Sequence, residues 1–144
     1  MKIETDTIKR AHQFMEAIPH CKALSMELVD IEAGKATVRM PYDARLIGDP
    51  KTGVIHGGAV STLMDSCCGA AVVSHPDNAS ATATIDLRID YMRPAKPGDA
   101  LTAIATCYHV TRTVAFVRAV ALDSDSDNPV ATATGAFTFQ KAAL

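Results

Sequence analysis

The chain of 144 residues contains no tryptophan, and aromatic residues make up only 5% of it. No aromatic stacking box is visible, so aryl and aliphatic ligands are not told apart by composition. Charge of one sign is lacking too. The net charge is −2, with lysine and arginine scattered rather than blocked, which gives no reason to expect nucleic acid. The four cysteines, Cys21, Cys67, Cys68 and Cys107, contain no CxxC pair. Cys67 and Cys68 are neighbours, and neighbours on a helix point in different directions, so neither a disulfide nor a shared metal suits them. They read as free, buried thiols of a reducing compartment rather than as nucleophiles. His12, His20, His75 and His109 do not fall at metal-ligand spacing, so no metal is expected. GxGxxG and Walker patterns are absent, which argues against a nucleotide-binding loop. The start, Met1-Lys2-Ile3-Glu4-Thr5-Asp6, lacks the apolar core of a secretory leader. A cytoplasmic protein is the expectation.

Apolar residues account for 48% of the chain and charged ones for 21%, ordinary values for a globular domain with a real core. Neither repeats nor a linker divide it, so residues 1–144 read as one domain, with 1–20 as a helical extension. The longest nearly uncharged stretch runs from Val54 to Val73, and only His56 and Asp65 in it carry charge near neutral pH. Its length approaches that of a membrane span, but His56, Asp65, three glycines and the lack of basic flanks favour a buried soluble helix. A helix apolar on most sides must be covered on most sides. A carboxylate in its middle then needs a partner or a role.

Around this helix the pattern is readable. Ile8, Ala11, Phe14, Met15 and Ile18 form one stripe of a short helix over 5–18, closed by Pro19. Ala36, Val38 and Met40 alternate with polar residues after a turn at Gly34, which predicts a hairpin with the segment before it. Residues 41–52 read as a loop. Residues 81–92 give the cleanest strand: Ala81, Ala83, Ile85, Leu87, Ile89 and Tyr91 on one face, Thr82, Thr84, Asp86, Arg88 and Asp90 on the other. Strands over 101–110, 114–122 and 130–140 follow. The segment 123–129 reads as a solvated acidic loop rather than a calcium site. One long helix and one antiparallel sheet make a two-layer α+β domain. A sheet curled round the helix would still leave part of it bare, so at least a dimer is expected.

His56, Gly57, Gly58 and Asp65 form the chemical constellation. Two glycines at the start of the helix leave N–H groups of its first turn uncovered, an element that binds anions. Asp65 lies eight residues beyond Gly57, about 12 Å along the axis at 1.5 Å per residue. Within one chain the two do not meet round one small reacting group. Two antiparallel copies of the helix would bring Asp65 of one chain opposite Gly57 of the other, giving two identical sites. Such a site suits acyl transfer. The Gly57 N–H holds the developing oxyanion, and Asp65 acts as general base on water or attacks directly.

His56-Gly57-Gly58 followed by Asp65 nine residues after the histidine resembles the hotdog-fold acyl-CoA thioesterases of the PaaI type. The run Asp86-Leu87-Arg88-Ile89-Asp90-Tyr91-Met92-Arg93-Pro94-Ala95 resembles that family's strand entering a Tyr-x-x-Pro-Ala turn. The resemblance covers about Cys21 to Phe139. It implies a sheet wrapped round a central helix, a homodimer often paired into a tetramer, and hydrolysis of an acyl-CoA with no cofactor, coenzyme A being part of the substrate. Neither nucleic acid nor a membrane is an expected partner. Asp65 would be the family carboxylate and Gly57 the oxyanion donor from the partner chain, with Gly58 beside it. His56 would shape the loop or touch the thioester, and Thr84 would orient the water. Strict alternation puts Thr84 on the polar face, so that role requires an irregularity in its strand. Pro50 stands near where relatives place an Asn or Gln that helps bind the thioester carbonyl, and proline has neither N–H nor amide. Arg88, Arg93, Lys96 and Arg112 are candidates for the coenzyme A phosphates. A hydratase or dehydratase on the same fold, and a non-catalytic acyl-CoA-binding module, are the alternatives.

Overall fold

The computed structural model describes residues 5–143; residues 1–4 of the expected N-terminal extension, and residue 144, lie outside the described residues. Thr5 caps the first helix, α1 (Asp6–Ala17), its hydroxyl accepting from the Ile8 N–H at 3.3 Å. The expected stripe is the packed one: Ala11 and Met15 are buried, while Ile8, Phe14 and Ile18 lie half-buried against the core. Pro19 does more than end α1. It occupies the first turn of a second short helix, α2 (Pro19–Ala23), where its missing N–H costs nothing.

The hairpin follows as β1 (Glu27–Glu32) and β2 (Lys35–Met40). The segment expected as plain loop contains structure. A 3-10 turn at Ala44–Leu46 leads into a small hairpin of β3 (Ile47–Asp49) and β4 (Val54–Ile55). The apolar stretch is thereby divided. Val54 and Ile55 are extended, and the central helix α3 runs Gly57–Val73. The remaining strands are β5 (Thr84–Tyr91), β6 (Leu101–Val110), β7 (Val114–Leu122) and β8 (Ala131–Thr138).

Six strands form one antiparallel sheet in the order β1-β2-β6-β7-β8-β5. β5 therefore pairs with the last strand and not with β6, which follows it in sequence. The connection between them is clamped across the sheet end by Arg93, which grips Asp123 just beyond β7. The core lies between the sheet and α3, which packs on β2, β6, β7 and, on another side, α1. Phe137, Met40, Leu63, Met64 and Leu101 are its largest fully buried side chains. What one chain leaves half-bare on α3 is not apolar. It is the strip Ser61, Thr62, Asp65 and Ser66.

The strand β5 departs from the expected alternation. It begins at Thr84 rather than Ala81, and its register against β8 slips between Thr84, opposite Phe137, and Asp86, opposite Ala136. Ile85 is the extra residue of a β-bulge. Beyond the bulge Leu87 and Ile89 face inward, while Ile85 stands 57% exposed. Gly135 of β8 makes the bulge possible: a Cβ there would lie 2.4 Å from the Asp86 carbonyl oxygen.

Candidate active site

The bulge delivers Thr84 to the helix. Its hydroxyl donates to Asp65 Oδ1 at 2.7 Å, so the irregularity that a site role for Thr84 requires is present. Among the described residues nothing else donates to the Asp65 carboxylate, which leaves Oδ2 open to the cleft. That cleft measures about 660 Å³. Ser61, Thr62, Asp65, Ser66 and Thr84, with His20 and Thr82, make part of its wall polar, and Phe14, Ile18, Leu87, Ile89 and Phe137 make another part apolar. A polar wall suits a hydrolysed group, and an apolar wall suits a hydrocarbon tail.

His56 stands at the N-cap of α3, where Nδ1 accepts from the Gly58 N–H at 2.8 Å. That bond fixes the neutral tautomer: Nδ1 is the acceptor, so the proton sits on Nε2. Among the described residues His56 and Asp65 of one chain share no hydrogen bond. The two glycines serve different ends. A Cβ on Gly58 would come within 2.9 Å of His56 Nδ1 and displace the cap, whereas one on Gly57 would only touch the Tyr91 ring, at 3.4 Å. The Tyr91 hydroxyl donates to the Gly57 carbonyl at 3.0 Å, tying the end of β5 to the start of α3. Among the described residues nothing accepts the Gly57 N–H, the first of the helix. A second hollow of about 400 Å³ lies on this side, lined by His56, Gly58, Arg45 and Leu46, and it shares His20 and Thr62 with the first.

The basic candidates are not brought together. Arg88 is exposed and reaches its neighbour Asp90 at 3.3 Å. Lys96 and Arg112 are exposed. Arg93, expected as a contact for a coenzyme A phosphate, is engaged within the chain instead. Its fork holds Asp123 at 2.7 and 2.6 Å and the Asn128 carbonyl at 2.6 Å. The loop over 123–129 is likewise not simply solvated, since the Asp123 side chain is 1% exposed. The paired guanidinium holds the Asp123 carboxyl well below the usual carboxylate range. Pro50 sits in the turn between β3 and β4, which Asp49 braces by accepting from the Lys51 N–H at 3.0 Å. Sequence reasoning missed three contributors to the site: Phe14, Tyr91 and Gly135. Phe14 lay in plain view on the α1 stripe, and only the fold shows what that stripe covers.

The cysteines are not candidates. All four are buried, and Cys67 donates to the carbonyls of Ala36 and Ala103 at 3.4 Å. Burial pushes the Cys67 thiol up to about 12 and that of Cys107 up to about 11. Such thiols are poor nucleophiles.

A model of the thioesterase superfamily matches residues 52–130, more than half of the chain. The chain belongs to the thioesterase superfamily. As a thioesterase it is a thioester hydrolase, and its antiparallel sheet with one long packed helix is the hotdog fold. It is 28% identical to the medium/long-chain acyl-CoA thioesterase YigI of Escherichia coli K12, over 86% of this chain and 87% of that one. It is 32% identical to the acyl-coenzyme A thioesterase PaaI of Escherichia coli K12, over 70% of this chain and 69% of that one. A solved structure from Pseudomonas aeruginosa is 40% identical, with a TM-score of 0.81 over 92% of this chain and 98% of that one. No helix of the described residues is long and apolar enough to cross a membrane.

Proposed function

We propose that this thioesterase hydrolyses acyl-CoA at a site shared by two copies of the chain. The observation that carries the reading is the Thr84–Asp65 hydrogen bond in a cleft that has a polar wall at Asp65 and an apolar wall of Phe14, Ile18, Leu87, Ile89 and Phe137. Asp65 takes a proton from water as the water oxygen attacks the thioester carbonyl carbon. The carbonyl oxygen becomes an oxyanion, held by the Gly57 N–H of the partner chain, with the His56 Nε2–H a further donor at the same end of the helix. Collapse of the intermediate breaks the carbon–sulfur bond. The proton passes from Asp65 to the departing thiolate, leaving a carboxylic acid and coenzyme A. Direct attack by Asp65, forming an anhydride that water then opens, uses the same groups. Thr84 orients Asp65 or the water bound to it.

The shared site is supported by the span of α3, since Gly57 and Asp65 stand about 12 Å apart along one helix. It is supported also by the free edge of β5, where Ile85, Tyr91 and Met92 are 57%, 53% and 58% exposed. A homodimer, or a tetramer of two such pairs, would cover that edge. Arg88, Lys96 and Arg112 remain candidates for the phosphates of coenzyme A, while Arg93 is spoken for by Asp123. Coenzyme A arrives as part of the substrate, and no separate cofactor is needed. A cytoplasmic setting fits free thiols. A hydratase would want a histidine paired with the carboxylate, and within one chain His56 makes no bond to Asp65.

The test is thiol release from a panel of acyl-CoAs, followed by subunit mixing. Chains carrying Asp65→Asn, mixed with chains whose Gly57 is replaced by proline, should regain one working site per heterodimer. No recovery after confirmed subunit exchange would place the site within one chain. Hydration of an enoyl-CoA without thiol release would point to the hydratase, and tight binding without turnover to a binding module.

A further inference from the structure

Behind the catalytic cleft lies a second hollow of about 270 Å³, lined by Arg10, Gln13, Phe14, Val73, Ser80 and Ala81. Among the described residues Phe14 is the one that lines both. The two hollows follow one stripe of α3. Asp65, Gly69 and Val73 are spaced by four and lie above one another on the same face. Phe14 of α1 sits over the middle of that stripe: a Cβ on Gly69 would come within 3.1 Å of the ring tip. Glycine at 69 thus leaves room for the ring, and the ring stands between the two hollows. The near part ends one helical turn, about 6 Å, beyond Asp65. The far part ends at Arg10, whose guanidinium donates to the Asn78 carbonyl.

We infer that Phe14 sets the acyl-chain length this thioesterase accepts, and that the hollow behind it receives the tail of longer straight chains. The inference rests on the acyl-CoA reading of the Asp65 site. With the ring in place a short acyl group lies wholly within the near part. A longer tail must turn the ring aside to reach Val73 and Ala81. Phe14 is half-buried and packs at the tip of its ring, so it moves without unseating α1, which Ala11 and Met15 anchor in the core.

The experiment measures kcat/KM for butyryl-, octanoyl- and lauroyl-CoA. Phe14→Ala should raise the ratio for lauroyl- over butyryl-CoA by about tenfold, a size set by moving methylenes into an apolar pocket. Phe14→Leu, which keeps most of the packing on α3, should shift the ratio the same way by less. Adding Ala81→Phe to Phe14→Ala refills the far hollow and should return the ratio towards that of the parent. A folded Phe14→Ala protein with an unchanged ratio overturns the inference while leaving the acyl-CoA reading intact. So does a raised ratio that Ala81→Phe fails to reverse, since the tail would then lie elsewhere. Parent protein that releases thiol from no acyl-CoA overturns the underlying reading, and the inference with it.

Discussion

Two aspartates of this molecule have opposite surroundings. Asp123 accepts from both arms of Arg93 and from the backbone N–H groups of Lys96 and Asp125, at 2.6 to 3.0 Å. A carboxylate offers about four acceptor positions, and here each is filled. Asp65 accepts from one hydroxyl, that of Thr84, and turns its other oxygen into an open cleft. The first arrangement fastens two loops together and leaves nothing for a ligand. The second holds the carboxylate in one orientation and leaves its other oxygen without a partner among the described residues, which is what the proposed general base requires.

Exchanging the acid for its amide separates the two most sharply. Asp65→Asn should lower kcat by about a thousandfold, the loss of a general base, with an unchanged thermal midpoint. Turnover near the parent rate in that protein would remove Asp65 from the mechanism. Gly135→Ala should come next. The added methyl has no room beside the Asp86 carbonyl, so the bulge must open and carry Thr84 away from Asp65. A fall in kcat/KM at least as large as that of Thr84→Val is expected, with thiol release as the assay. Thr84→Val itself should cost roughly tenfold in kcat/KM, about one hydrogen bond to a charged group. Its circular dichroism should be unaltered.

Asp123→Asn should leave turnover well below the melting range untouched and lower the thermal midpoint by several degrees. Arg93 holds the folded-state pKa of Asp123 below its unfolded value of about 3.9. Its stabilisation is therefore complete above that pH and is lost as the pH falls through the folded value. The gap in midpoint between parent and Asp123→Asn should persist at neutral pH and close as the solution is acidified below about 4. A gap that stays constant into acid would mean that packing, not charge, makes Asp123 important.

The sequence was most legible where periodicity governs. The stripe of α1, the hairpin of β1 and β2, the uncharged α3 and the strands β6 to β8 all follow from local spacing. So did the residues at the head of α3, because a histidine, two glycines and a lone acid stand out in an apolar run. What was hidden depends on residues far apart in the chain. The Ile85 bulge is decided by a glycine fifty positions later, and without it Thr84 would face away from Asp65. Arg93 read as a cation available to a coenzyme A phosphate because its partner lies thirty residues on, inside a loop whose composition suggests only solvent. The short strand of Val54 and Ile55 ahead of the helix was not legible, because apolar residues alone do not separate a short strand from a helical turn.

The four buried cysteines have a practical use. A thiol-reactive dye that reports released coenzyme A should meet almost no competing thiol on the folded chain, so the enzyme is transparent to its own assay. On unfolding, all four become reactive together. The same dye, added without substrate, then counts openings of the core: its labelling rate at Cys67 and Cys68 reads how often α3 parts from the sheet.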